Sequence, residues 1–150
     1  MPEDLSFNLH TLTARLDRSA DRILRAEYGL SYRRFRTLLI VGRLGQPMQR
    51  ALAHELGVSE PSASRMTSVL VRTGLLAADP DPDGGNRRRL SLTVTGKEMV
   101  GQCRTLLERR FADLVRRSGV CYSDYARDTR RLLDALKQRR LLRALRRRQL

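Results

Sequence analysis

The sequence predicts a mainly α chain with one small β-hairpin, and three observations carry that reading. Apolar residues recur at helical spacing through most of the 150 positions. A single turn-rich stretch, Asp79 to Asn86, separates two short strand-like runs. Aromatic residues make up only 5% and there is no Trp, so the core falls to Leu, Val, Ile and Ala, a composition that favours helices. A length of 150 residues with 41% hydrophobic residues fits one domain, 1–150, rather than two.

Leu5, Leu9, Leu12, Leu16, Ala20 and Ile23 make the apolar stripe of a long first helix whose other face is charged, and Gly29 can end it. Ser31 reads as the N-cap of a second helix carrying Phe35, Leu38, Leu39 and Val41, with Gly42, Gly45 and Pro47 punctuating its end. A short helix runs from Met48 to Gly57, and after Val58-Ser59 another runs to Gly74. Leu75-Leu76-Ala77-Ala78 and Arg87 to Thr93 are the strand candidates; the second alternates, with Leu90 and Leu92 on one face and Arg89 and Ser91 on the other. Thr95-Gly96-Lys97-Glu98 has capping-box spacing, and Thr93 is an equal candidate for the cap. The helix behind it buries Met99/Val100, Cys103, Leu107, Phe111 and Leu114 and stops near Ser118-Gly119. A last helix starts around Ser123-Asp124 and carries Leu132, Leu133, Leu136, Leu142 and Leu145.

Charge narrows the function. Lys and Arg number 30 against 16 Asp and Glu, a net +14 that implies a polyanionic partner, nucleic acid first and an anionic membrane surface second. Residues 1–30 are nearly neutral, whereas the middle is basic through Arg33, Arg34, Arg36, Arg43, Arg50, Arg65, Arg72 and the run Arg87-Arg88-Arg89. The final stretch holds Lys137, Arg139, Arg140, Arg143, Arg146, Arg147 and Arg148 without an acid, and reads best as solvation of the last helix. No apolar run approaches the length of a membrane span, and Met1-Pro2-Glu3-Asp4 lacks the cations of a signal peptide. With two cysteines, Cys103 and Cys121, and two histidines, His10 and His54, at no metal or redox spacing, the expectation is a cytoplasmic chain without metal or cofactor.

The most informative run is Leu52-Ala53-His54-Glu55-Leu56-Gly57-Val58-Ser59. A helix-turn-helix needs a small residue where its helices cross (Ala53) and one tolerant of positive φ at the turn (Gly57). It also needs an apolar plug (Val58) and an N-cap for the second helix (Ser59), and Pro61 falls in that helix's first turn, where a missing N–H costs little. Ala63, Met66, Leu70 and Thr73 form the inward stripe, which leaves Ser62, Ser64, Arg65, Ser68 and Arg72 facing out. Such a face suits the major groove: hydroxyls and backbone N–H groups hold phosphate while Arg65 reaches a guanine O6/N7 edge. The competing reading is an ordinary helical hairpin with a solvated Ser/Arg face. The hairpin that follows completes a winged helix-turn-helix, with Arg87 and Arg88 for the neighbouring minor groove and Arg89 for a phosphate.

Leu30-Ser31-Tyr32 through Leu38, Leu52-Ala53 to Ser59, Leu70 to Leu75 and Leu92-Thr93-x-x-Gly96 together resemble successive blocks of the MarR (multiple antibiotic resistance regulator) family, over roughly residues 5–118. The resemblance implies an obligate homodimer reading a pseudo-palindromic site, with about 31–95 as the winged domain and about 5–28 and 96–150 as dimerisation helices. It also implies repression relieved by a small molecule or an oxidant. The family's wing carries an Asp-x-Arg signature, and its two charged positions fall on Gly84 and Asn86 here; a longer loop would put Asp83 and Arg87 in those roles. Ala78 stands where the family usually has Arg. Both departures predict a wing base without its ionic brace, and hence a mobile wing that reads bases less.

His10 lies beside the first stripe, where family members often build an effector pocket, and Tyr28, Phe35 and Arg15 are further lining candidates; plain interface packing is the competing reading. Cys103 sits on an apolar stripe and reads as core, whereas Cys121, in a loop near Arg116 and Arg117, is a candidate redox thiol. No nucleophile-plus-base pair, phosphate loop or paired acid points to an enzyme. The resulting expectation is a nucleoid-associated, sequence-specific regulator of double-stranded DNA. Its alternatives are a sequence-indifferent architectural DNA coater, a redox regulator acting through Cys121, and a winged-helix protein-interaction module.

Overall fold

The computed structural model describes residues 4–148, with side chains from 4 to 139. Leu142, Leu145 and the basic side chains Arg140, Arg143, Arg146, Arg147 and Arg148 lie outside the described side chains, as Met1, Pro2 and Glu3 lie outside the described residues.

The first apolar stripe folds as α1 (Leu5–Tyr28), which ends at Gly29 in the left-handed region. Ala20 and Leu24 are buried, while Leu5, Phe7, Leu9 and Leu12 stay exposed. In α2 (Tyr32–Leu44) the Ser31 hydroxyl accepts the Arg34 N–H at 3.2 Å, the expected N-cap. A second cap comes from α1: the Asp21 carboxylate accepts the Tyr32 N–H at 2.9 Å and the Arg25 Nε–H at 2.7 Å. Arg25 and the Tyr32 amide hold the Asp21 carboxyl below the ordinary carboxylate range. Gly42, expected to punctuate the end of α2, lies inside it instead; a Cβ there would stand 2.9 Å from Leu92 Cδ1, so the glycine admits the wing strand against the helix.

Next come α3 (Gln49–Leu56), α4 (Glu60–Arg72), β1 (Leu76–Pro80) and β2 (Arg88–Leu92). The two strands pair antiparallel from Leu76↔Leu92 to Pro80↔Arg88. A feature the sequence did not announce is a third short segment on this ladder: Met48 bridges Arg89, and the Leu90 N–H donates to the Pro47 carbonyl at 2.9 Å. The linker before α3 therefore ties the wing to the helix-turn-helix.

The core draws Leu24 from α1, Phe35, Leu38 and Val41 from α2, Leu52 from α3, Leu70 from α4, Leu76 and Leu90 from the hairpin, and Cys103 from α5 (Val94–Ser118). Thr93, not Thr95, caps α5. Its Oγ1 accepts the Gly96 N–H at 3.0 Å and donates to the Gly74 carbonyl at 2.6 Å. Gly96 is fixed by contact, since a Cβ there would run into the backbone oxygen of Leu75. The buried stripe of α5 also drifts from the expected one: Leu106 and Val115 are buried, while Leu114 is exposed.

The chain divides into two compact units, one up to Leu107 and one from Glu108. The second holds the end of α5 and α6 (Tyr122–Arg148). Within it the Phe111 and Tyr122 rings meet edge-on at 6.4 Å, and Tyr122 donates to Glu108 at 3.4 Å. Leu132, Leu133 and Leu136 on α6 are all exposed, at 62%, 53% and 62%. Among the described residues, no helix is long and apolar enough to cross a membrane.

Candidate nucleic-acid interface

The turn between α3 and α4 forms from local chemistry. Gly57 adopts φ 67° and ψ 33°, a conformation costly for any residue with a Cβ, and the Val58 N–H closes back onto the Ala53 carbonyl at 3.1 Å. Ala53 is buried at the crossing and Val58 is half-buried beneath it, as their positions led us to expect. Ser59 caps α4 by accepting the Ser62 N–H at 3.3 Å, with Pro61 in the first turn.

One face of α4 buries Ala63, Thr67 and Leu70, with Met66 half-buried. Here the sequence reading needs correction, because Thr73 is exposed and Thr67 takes the inward position. The Thr67 hydroxyl is satisfied there: it donates to the Ser64 carbonyl at 3.1 Å and accepts from Gln49 Nε2 at 2.9 Å, which locks α3 to α4.

On the outward face Ser64, Arg65, Ser68 and Arg72 are exposed and Ser62 is half-exposed. Ser62 Oγ accepts from Ser59 Oγ at 3.0 Å and from Arg65 Nη2 at 3.3 Å. Both bonds use its lone pairs, so its proton is left to donate to an incoming phosphate oxygen. Ser68 donates to the Ser64 carbonyl at 2.8 Å, which leaves its own oxygen as an acceptor. At about 1.5 Å per residue, α4 spans roughly 20 Å, a length and width that a B-form major groove accepts.

Two depressions flank this face. The first is lined by Met48, Gln49, Arg50, Glu60, Ser64, Asn86, Arg87 and Arg88, which joins the start of α3, the exposed side of α4 and the wing. The second is lined by Ser31, Arg33, Arg34, Ser62, Arg65, Met66 and Val69. Arg50, Arg33 and Arg34 were absent from the sequence-predicted interface. Their only signal was membership of the basic middle of the chain, because the packing that brings them beside α4 is tertiary.

The wing carries the largest departure from expectation. It does have an ionic brace, formed by Asp81 and Arg89 rather than by Asp83 and Arg87. Arg89 Nε donates to Asp81 Oδ1 at 3.0 Å, and the Asp81 N–H donates to the Arg87 carbonyl at 2.9 Å. Arg89 holds the Asp81 carboxyl below the ordinary range, against the opposing effect of burial. Asp83 contributes only a backbone N–H, donated to the Asp81 carboxylate at 3.4 Å. Arg88 folds back to the Ala78 carbonyl at 3.3 Å, and Arg87 is exposed next to the glycines of the wing tip.

The effector candidates do not converge. His10 is exposed, Tyr28 is half-buried against the core, and Phe35 is a core residue at 4% exposure. A groove between α1 and α2 is lined by Arg15, Asp17, Arg18, Asp21, Arg22, Tyr32 and Arg33, so of the four expected residues it contains only Arg15. Cys103 is fully buried, and burial pushes its thiol up to about 11; Cys121 is exposed, with Sγ 3.3 Å from Ser123 Oγ. Among the described residues, no group of three or more His, Cys, Asp or Glu could hold a metal.

Comparison with known proteins agrees with this architecture. The IclR helix-turn-helix domain matches residues 33–80, from α2 through β1. No curated protein matches the chain. Among solved structures, a MarR mutant from E. coli is similar with a TM-score of 0.77 at 20% identity, over 91% of this chain and 98% of that one. A MarR mutant from E. coli complexed with operator DNA gives 0.73 at 19% identity, over 89% and 94%. The S. aureus MepR–DNA complex gives 0.70 at 18% identity, over 89% and 96%. The fold is therefore the winged helix-turn-helix of the MarR regulators, with further helices at both ends.

Proposed function

We propose that the chain is a MarR-family transcription regulator, a homodimeric, sequence-specific repressor of double-stranded DNA relieved by a small-molecule effector. One observation carries this reading: the exposed face of α4 presents Ser62, Ser64, Arg65, Ser68 and Arg72 beside the wing arginines Arg87 and Arg88, in a chain of net charge +14. In this reading α4 lies in the major groove. Ser59 and Ser62 at its start hold phosphate, Arg65 pairs with a guanine O6/N7 edge, and Ser64, Ser68 and Arg72 contact bases and backbone along the helix. The wing carries Arg87 and Arg88 to the adjacent minor groove, while the brace to Asp81 leaves Arg89 only part of its donor set for a phosphate. That two proteins of this fold were solved with DNA supports the same placement.

The exposed apolar residues of the terminal helices support the dimer. Leu5 and Phe7 on α1 and Leu132 and Leu136 on α6 are 62–69% exposed, more large apolar surface than an isolated chain favours. A two-fold pairing of about residues 5–28 and 96–150 covers them and sets two α4 helices about 34 Å apart, one turn of DNA, so the operator is pseudo-palindromic. His10, exposed on α1, is the residue we retain for sensing the effector, and we place the protein in the cytoplasm on the nucleoid. The test is selection from a random-sequence DNA pool with the purified full chain at about 0.15 M salt. Enrichment of one inverted repeat is expected. Tight binding without enrichment of any sequence would instead make the protein a sequence-indifferent DNA coater.

A further inference from the structure

The depression shared by α2 and α4 gathers three arginines. Arg33 and Arg34, on the first turn of α2, line it together with Ser62, Arg65 and Met66 of α4. Arg34 is half-buried. Among the described residues, none of Arg33, Arg34 and Arg65 has an acid within salt-bridge distance, a state most of the described arginines share, so what marks these three is their gathering in one depression. Guanidinium groups gathered in one depression without an acid repel one another, a cost that a bound anion offsets. The two helices are held in register here, because Thr37 Oγ1 lies 2.8 Å from Met66 Sδ while donating to the Arg33 carbonyl at 3.0 Å. Arg33 also borders the groove that contains Asp17 and Asp21, so a ligand must compete with those carboxylates for it.

We propose that Arg33 and Arg34 form a second phosphate clamp, gripping the DNA backbone at the edge of the major groove that α4 enters. This rests on the DNA-binding reading above and adds to it a division of labour. The clamp arginines stand on α2, beside the half-buried Met66 and Val69 flank of α4 and at the edge of its outward face, so they meet sugar-phosphate and carry no base information. Planar guanidinium forks suit two oxygens of one phosphodiester, and the Ser62 hydroxyl proton is available to the same group.

The test compares the wild-type chain, Arg33→Gln/Arg34→Gln, Arg33→Lys/Arg34→Lys and Arg65→Ala. Each is titrated against the selected sequence and a scrambled duplex across a range of salt concentrations. Two lost phosphate contacts lower the slope of log K against log salt by about 1.8 per bound chain, which at about 0.15 M is roughly a 30-fold loss of affinity. The loss is equal on both duplexes, and the lysine pair recovers most of it, which separates a lost contact from a misfolded helix. Arg65→Ala behaves differently, losing preference for the selected sequence. An unchanged slope in the glutamine pair, or a loss confined to the selected duplex, overturns the clamp while Arg65→Ala still upholds DNA binding. A wild-type chain that binds neither duplex overturns both readings.

Discussion

Asp81 and Arg89 face each other across the wing at 3.0 Å, the carboxylate side chain only 4% exposed and the guanidinium 36%. The pair closes the loop end of the hairpin just as the Asp81 N–H closes its backbone onto Arg87, so side chain and main chain fix the same turn. A wing held in this way aims Arg87 and Arg88 instead of letting them sweep freely.

Replacing Asp81 with Asn should therefore loosen the wing selectively. Amide exchange should speed up at Arg87 to Leu90 with little change in α2 to α4, and DNA affinity should fall. The acid dependence has a definite sign. Because Arg89 depresses the folded pKa of Asp81, the stabilisation is fully present above the ordinary carboxylate pKa and is lost as pH falls through the depressed value. The difference in thermal midpoint between wild type and Asp81→Asn should be constant near neutrality and vanish in acid.

Arg65→Ala should cost about 1–3 kcal/mol of base discrimination at one position of each half-site. Competition between the selected sequence and single-base variants measures it. Arg87→Ala should cost less at every position of that scan, since the wing reads shape and charge rather than major-groove edges.

Two glycines of α5 make a paired test of packing. A Cβ at Gly96 collides with backbone, whereas one at Gly101 meets nothing. Thermal and chemical denaturation should show Gly96→Ala destabilised by about 3 kcal/mol and Gly101→Ala stabilised by roughly 1 kcal/mol.

The two thiols should differ sharply toward an aromatic disulfide reagent at pH 8. Cys121 is exposed and should react first, whereas Cys103, with its thiol raised to about 11, should react only on unfolding. Loss of the fast phase in Cys121→Ser identifies it.

Charging the exposed face of α6 should break the dimer. Leu132→Asp/Leu136→Asp is expected to run as a monomer in light scattering and to bind DNA far more weakly, because each chain then pays the full entropic cost of docking alone.

What the sequence made legible was local. The caps at Ser31 and Ser59 and the turn at Gly57 each depend on a few neighbouring residues, and all three stand where the pattern placed them. Helix faces were legible only to within a residue or so. Thr67 displaced Thr73 from the buried face of α4 because its hydroxyl finds Gln49 and the Ser64 carbonyl, partners that no apolar periodicity reveals. The Asp81–Arg89 brace escaped because it depends on the pairing of β1 with β2, while counting back along the chain from Thr93 pointed to Gly84 and Asn86. Arg33, Arg34 and Arg50 escaped for the same reason: their place beside α4 is set by how α2 and α3 pack on it.

The ratio of affinities for the selected inverted repeat and its scramble, measured with the wild-type chain at about 0.15 M salt, tests sequence-specific recognition most directly. A regulator that reads bases through α4 should prefer the repeat by roughly 10³-fold or more. Equal affinity for the two duplexes would contradict it and leave a protein that grips the phosphate backbone without reading sequence.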